Sequence, residues 1–319
     1  MKTKLRDTRF KSAIPRVGQL FSRAACLGAV IAICSSASAQ NLFVSGRGDR
    51  GGEIFKFTWD ARESIFASGL YKPWDLAFDS AGNLFFVDYV ILPEGGGEVG
   101  SNAAVYKITP NGMVTIFASR LGYPSYLATD RTGNVFVADH ENGVIYKYKP
   151  TGSRTTFASG LRHPVGMAFN RAGDLFVINN SIGNIGLGSI YVYKPNGSRT
   201  AFAVLQPSDR PADLAFDRMG NLLMADLGGN IYKYDVITLR PNVRTIFGSV
   251  PGSAQSLACD SAGNLLVVDA GEVNGSAAYP NAIYKFTQRG LRSGFALGST
   301  QGEIFACLAF EPMPPAGSQ

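Results

Sequence analysis

The chain has 319 residues, of which 45% are hydrophobic, 11% aromatic and 17% charged, and its formal net charge is +6. That apolar fraction excludes a disordered or polyelectrolyte chain, and 37 glycines and 16 prolines without a three-residue period exclude collagen. The length admits one large all-β domain or two ordinary ones, and the positive charge raises the question of a nucleic-acid or membrane partner.

The first 39 residues answer the charge question. Lys2, Lys4, Arg6, Arg9, Lys11, Arg16 and Arg23 stand there against one acid, Asp7. An uncharged, mostly apolar run follows over 24–34, then Ser35, Ser36 and Ala37-Ser38-Ala39. A basic start, a short apolar run and an A-x-A site predict a secretory signal peptide over 1–39, cleaved after Ala39. The run has eleven residues, and a membrane helix needs about 20. Seven of the 30 basic and one of the 24 acidic residues lie in this leader, which leaves 23 of each. The chain from Gln40 is therefore expected to be exported, to the periplasm or the medium. We expect it to act as a monomer, with no membrane insertion and no net electrostatic pull towards nucleic acid.

From Gln40 onward one unit repeats. Leu76-Ala77-Phe78-Asp79 recurs as Leu127-Ala128-Thr129-Asp130, Met167-Ala168-Phe169-Asn170, Leu214-Ala215-Phe216-Asp217, Leu257-Ala258-Cys259-Asp260 and Leu308-Ala309-Phe310-Glu311. A turn follows five of these, at Gly82, Gly133, Gly173, Gly220 and Gly263, spaced 51, 40, 47 and 43 residues apart. Each turn leads to an apolar run, at 84–87, 135–138, 175–178, 222–225 and 265–268. An Ile-Tyr-Lys-Phe type strand and a Thr-Ile-Phe-Ala-Ser type strand complete the unit. Short runs rich in Val, Ile, Phe and Tyr between Gly, Asn, Asp and Pro predict strands. Four strands per 40–51 residues predict a propeller blade.

The two ends fit together. The chain closes on a sixth Leu-Ala-Phe strand with nothing to pair it, and Asn41-Leu42-Phe43-Val44-Ser45 is a second strand without a first. The prediction is an all-β, six-bladed β-propeller of four-stranded antiparallel blades over 40–311, its ring closed by strands from both termini, with a tail over 312–319. Such closure removes an exposed sheet edge.

The unit Pro73-Trp74-Asp75-Leu76-Ala77-Phe78-Asp79-Ser80-Ala81-Gly82-Asn83-Leu84-Phe85-Phe86-Val87-Asp88 resembles the NHL-type propeller repeat. It is also similar to the senescence marker protein/gluconolactonase superfamily. The resemblance spans 41–311. It implies a fold and leaves the activity open, because these propellers include lactonases, lyases, sensors and binding modules. The gluconolactonase side implies a divalent cation at the channel mouth, held by Glu, Asn and Asp at the entries to the inner strands. Two residues before each inner Leu this chain has Trp74, Ser125, Val165, Ala212, Gln255 and Ala306, so that ligand set does not carry over.

The topology places several candidates on one face. The residue before each Leu-Ala-Phe is Asp75, Tyr126, Gly166, Asp213, Ser256 and Cys307. Asp75 and Asp213 lie three blades apart. They are candidate ligands for a cation such as Ca²⁺ or Zn²⁺, or carboxylates that accept backbone N–H bonds in their own turns. Asp88, Asp139, Asn179, Asp226 and Asp269 end the second strands. They read as a second binding ring, or as side chains capping the turn that follows. The loops at 89–103, 180–189 and 270–281 are long, which marks this face for binding. The only histidines, His140 and His163, fall on the same face in adjacent blades and are the acid/base candidates. Cys259 and Cys307 differ in height along the inner strands and are expected to be free, buried thiols. Arg47-Gly48-Asp49 falls in an expected loop, and chance accounts for it. No G-x-S-x-G, P-loop or C-x-x-C is present.

The reading is an exported propeller that binds a small molecule, glycan or protein at the channel-mouth face. The alternative is a metal-dependent hydrolase or lactonase using Asp75 and Asp213, with His140 or His163 moving the proton.

Overall fold

A computed structural model of the chain describes residues 40–48, 51–89, 103–180, 188–236, 242–271, 281–298 and 304–313. The predicted leader, most of each long loop and the end of the tail lie outside them.

Among the described residues twenty-four strands form six four-stranded antiparallel sheets. The chain opens with β1 (Leu42–Gly48), β2 (Gly51–Phe57) and β3 (Glu63–Leu70). Blade one is β4 (Leu76–Phe78), β5 (Leu84–Tyr89), β6 (Ala103–Ile108) and β7 (Val114–Ala118). Blade two is β8 (Pro124–Thr129), β9 (Val135–Asp139), β10 (Val144–Tyr148) and β11 (Arg154–Ala158). Blade three is β12 (His163–Phe169), β13 (Leu175–Asn180), β14 (Ser189–Tyr193) and β15 (Arg199–Val204). Blade four is β16 (Pro211–Phe216), β17 (Leu222–Asp226), β18 (Asn230–Tyr234) and β19 (Arg244–Ser249). Blade five is β20 (Ala254–Cys259), β21 (Leu265–Asp269), β22 (Ala282–Phe286) and β23 (Arg292–Leu297). The last strand, β24 (Ile304–Phe310), joins β1, β2 and β3 as blade six. Leu42 pairs with Phe310 and Val44 with Leu308, so the ring closes by both chain ends, as the sequence predicts.

The core is not one mass but six clusters, each shared by two neighbouring blades. One gathers Val87 and Val105 of blade one with Leu127 and Val137 of blade two. Another joins Phe43 and Ile54 of blade six to Leu84 and Phe86 of blade one. This is why a lone blade cannot stand: both its faces are apolar, and only a neighbour on each side buries them. Within four of the blades a repeated ring pair ties the second strand to the fourth. Phe43–Phe66, Phe85–Phe117, Phe136–Phe157 and Phe176–Phe202 meet edge-on at 4.8, 4.8, 4.9 and 5.3 Å. Such pairs contribute about 0.5–1.5 kcal/mol each beyond the buried area.

The second strands run one or two residues beyond the apolar runs and carry Asp88, Asp139, Asn179, Asp226 and Asp269 at or next to their ends, where the sequence places them. Their side chains are anchored by backbone amides, and this keeps the ladder going. Arg47 and Gly48 belong to β1, paired with Gly52 and Gly51, not to a loop, and Asp49 lies outside the described residues. Cys259 is only partly buried, whereas Cys307 is buried, and both are free. No helix among the described residues is long and apolar enough to cross a membrane.

Candidate functional site

The inner ring is a chain of locks between blades. Asp75 Oδ2 accepts the Leu127 amide of blade two at 2.5 Å. Asp213 Oδ2 accepts both the Ser256 hydroxyl and the Leu257 amide of blade five at 2.9 Å. Ser256 Oγ in turn accepts the Leu308 amide of blade six at 3.4 Å. The residue before one inner Leu thus holds the Leu of the next blade. Asp213 also accepts the Leu214 amide at 2.7 Å. The turn-capping alternative therefore holds in kind but not in place, because the main partners belong to the neighbouring blade. At the blade-three position no side chain fits. A Cβ on Gly166 would stand 2.8 Å from Asp213 Cα and 3.1 Å from the Ala212 carbonyl, at φ +38°.

These groups are out of water. Asp75 and Asp213 are 7% and 8% exposed. Burial, reinforced by the charge of Asp213, pushes Asp75 up to about 7. Burial alone pushes Asp213 up to about 6, against the amide and hydroxyl bonds that pull it down. Burial and the two carboxylates hold the Cys307 thiol neutral, far above its ordinary range. Tyr126 is raised by burial, then by Cys307, Asp213 and Asp75. Burial pushes Cys259 up to about 12. Neither cysteine is a thiolate nucleophile at neutral pH.

The resemblance implies a divalent cation at this mouth, and the described residues do not fit one. No three His, Cys, Asp or Glu side chains among them gather with metal-binding geometry. Both oxygens of Asp213 are engaged by N–H and O–H donors, and the neighbours are a thiol, a hydroxyl and a phenol rather than further carboxylates.

The second ring is structural in every blade that carries it. Asp88 accepts the Tyr71 and Lys72 amides at 3.1 and 2.7 Å. Asp139 accepts those of Gly122 and Tyr123 at 2.9 and 3.1 Å, and also Asn142. Asn179 accepts the Arg162 amide at 2.8 Å. Asp226 accepts Arg210 and Gly228, and Asp269 accepts Gly252 and Gly271. Each side chain pins the loop that enters its own inner strand, sixteen or seventeen residues upstream. The expected cap on the following turn appears as a second partner of Asp139, Asp226 and Asp269.

The two histidines do come together. Their ring centroids lie 4.6 Å apart, tilted by 33°. Tyr123 continues the row at 6.0 Å from His140, and Tyr89 lies 5.2 Å from Tyr123. Tyr89 is anchored by donating to the Pro124 carbonyl at 2.9 Å. Burial and then the His163 ring lower His140 below its ordinary value, although it is hydrogen-bonded to the Pro164 carbonyl. His163 Nδ1 is buried and makes no hydrogen bond among the described residues, and neither does Ser125 Oγ, at the entry to the neighbouring inner strand. Buried polar atoms left unpaired cost about 1–3 kcal/mol each. Ser125 is the unpaired residue of a β-bulge between Pro124 and Tyr126, a bulge that recurs in the inner strands of blades three to five. Sequence reading missed Ser125, Tyr123 and Tyr89 as site residues. The break in the repeat, Tyr-Pro-Ser-Tyr where blade one has Lys-Pro-Trp-Asp, is the signal that was available.

No protein-family profile matches the chain, and no curated protein matches its sequence. Solved structures match its fold. A gluconolactonase from Xanthomonas campestris shares 15% identity at a TM-score of 0.60, over 86% of this chain and 91% of that one. A virginiamycin B lyase from Staphylococcus aureus shares 13% at 0.57, over 82% and 86%. A calcium-binding regucalcin from Agrobacterium tumefaciens shares 18% at 0.54, over 74% and 76%. The chain therefore has the six-bladed fold of gluconolactonase-like and virginiamycin lyase-like propellers. At these identities the likeness concerns the fold alone.

Proposed function

We propose that this protein is an exported binding module that takes a small organic molecule or a glycan ring at the channel-mouth face, over blades one to three. The observation that carries the reading is the close His140–His163 ring pair, with a buried His163 Nδ1 that has no hydrogen-bond partner among the described residues. The flanking Tyr123, 36% exposed, supplies a flat apolar surface beside it. A ring laid on Tyr123 and the imidazoles would gain stacking contact, and a hydroxyl or carbonyl on it would satisfy the orphaned nitrogen. The inner and second rings serve the scaffold, so they hold the face rigid rather than contact the ligand. Export rests on the leader over 1–39. The test is a screen of monosaccharides and aromatic fragments against the purified protein in excess chelator. Binding that survives chelation supports the reading, and binding that needs a divalent cation sinks it.

The alternative is a metal-dependent lactonase. It draws on the shared fold with a gluconolactonase and on two channel carboxylates with raised proton affinity. Metal analysis followed by hydrolysis of D-glucono-1,5-lactone with added Ca²⁺ or Zn²⁺ separates the two readings. Cation-dependent turnover that Asp213→Asn abolishes would establish the lactonase.

A further inference from the structure

Blade six lacks a feature that the other five share. In blades one to five an Asp or Asn side chain folds the turn between the first two strands. Asp130, for example, accepts the Asn134 amide and side-chain N–H at 3.0 and 2.7 Å. In blades two, four and five the lysine of the third strand then reaches that turn. Lys147 lies 4.0 Å from Asp130, Lys233 3.5 Å from Asp217, and Lys285 3.8 Å from Asp260. In blade six the first two strands come from opposite ends of the chain, so there is no turn to fold. Glu311, at the position of those aspartates, accepts Asn41 Nδ2 at 2.7 Å instead. Lys56, at the position of those lysines, has no carboxylate within ion-pair distance among the described residues. Its ammonium lies 5.5 Å from the centre of the Phe43 ring.

Where the turn is missing there is a cavity of about 510 Å³, on the face away from the channel mouth and between blades six and one. Phe43, Phe66 and Phe78 line it, with Lys56, Ser80 and Glu311. Phe43 meets Phe66 and Phe78 edge-on at 4.8 and 5.0 Å, so the aromatic wall is fixed. This volume is within the range of small-molecule sites, about 300–1,000 Å³, which join apolar walls to a few placed polar groups. We propose that the seam cavity is a second ligand site, which takes a small aromatic or branched carboxylate with its apolar body on Phe66 and Phe78 and its carboxylate on Lys56. A neutral ligand would leave the ammonium unpaired. A cation would meet Lys56 head-on. This site is independent of the channel-mouth reading.

Naphthalene-2-carboxylate is the probe, titrated into the purified full-length chain with ¹³C-methyl-labelled methionine. Met313 lines the cavity, whereas Met167 and Met224 sit in the seams of other blades. The expected result is a saturable shift of the Met313 methyl with Met167 and Met224 unmoved. Lys56→Gln should weaken binding at least about tenfold, as loss of a charge-assisted contact does. Ser80→Trp, which fills the cavity, should abolish it. On the unmodified chain naphthalene-2-carboxamide should bind at least about tenfold more weakly, a comparison that does not depend on any variant folding. No saturable shift up to about 5 mM probe, or equal affinity for the acid and the amide, would overturn the proposal.

Discussion

Asp213 Oδ2 receives two donors from the next blade, the Ser256 hydroxyl and the Leu257 amide, both at 2.9 Å. A single carboxylate thereby ties blade four to blade five at the channel wall. Removing it strands an amide and a hydroxyl in a buried place. Asp213→Ala should therefore cost about 2–4 kcal/mol of stability, and Asp213→Asn, which keeps one acceptor, about half of that. Equilibrium urea denaturation followed by near-UV circular dichroism reads both. An alanine variant as stable as the parent would remove the inter-blade lock from the description.

Gly166 makes the neighbouring point by having no side chain. Its Cβ position lies 2.8 Å from Asp213 Cα, and the backbone there is left-handed. Gly166→Ala must move blade three away from blade four or strain φ. A loss of about 2–3 kcal/mol is expected from the combined clash and backbone cost. The comparison is Gly152→Ala, also at positive φ but with open space around it, which should lose less in the same denaturation assay.

Asp75 sets a pH dependence. Its carboxyl is raised to about 7 in the folded protein, by burial and then by Asp213, from an unfolded value near 4. The folded state thus holds the proton more tightly. That contribution is fully present below about pH 4 and is lost as pH rises through about 7. The stability of the unmodified protein relative to Asp75→Asn should fall by about 2–4 kcal/mol between pH 4 and 8. The asparagine keeps the bond to Leu127 without the charge, so a difference that stays flat with pH contradicts the assignment.

The architecture was legible because it is written many times. Six copies of a Leu-Ala-Phe type segment mark the inner strands, and the unmatched Leu42–Ser45 and Leu308–Phe310 segments mark the closure. Side chains that do one job in every blade were also legible in type. An Asp or Asn at 88, 139, 179, 226 and 269 had to serve the scaffold, although its partners sixteen or seventeen residues upstream are a matter of three-dimensional proximity. The site was less legible because it lies where repetition stops. His140 and His163 could be placed on one face, but their 4.6 Å approach depends on how two blades pack. Ser125 showed only as part of the break in the repeat, since the bulge that carries it is a property of the ladder. The missing turn of blade six was readable as a chain break, yet not as a cavity.

His140 is lowered by burial and by the neighbouring imidazole. Two adjacent rings resist sharing two positive charges. In an NMR titration His140 should protonate below the ordinary histidine range, near 6.5. His163→Gln should raise that midpoint, because it removes the second charge and leaves the burial. An unmoved midpoint would mean that the two rings do not interact electrostatically.

The same two resonances give the most direct measurement of the proposed function. The chain has only two histidines, so the imidazole spectrum reports the channel-mouth face and nothing else. A ligand found among monosaccharides and aromatic fragments, titrated in excess chelator, should shift both His140 and His163 signals to saturation. A folded His140→Ala/His163→Ala variant should lose at least about tenfold in affinity for it. A ligand that binds without moving either imidazole, or that requires a divalent cation to bind, would contradict the reading.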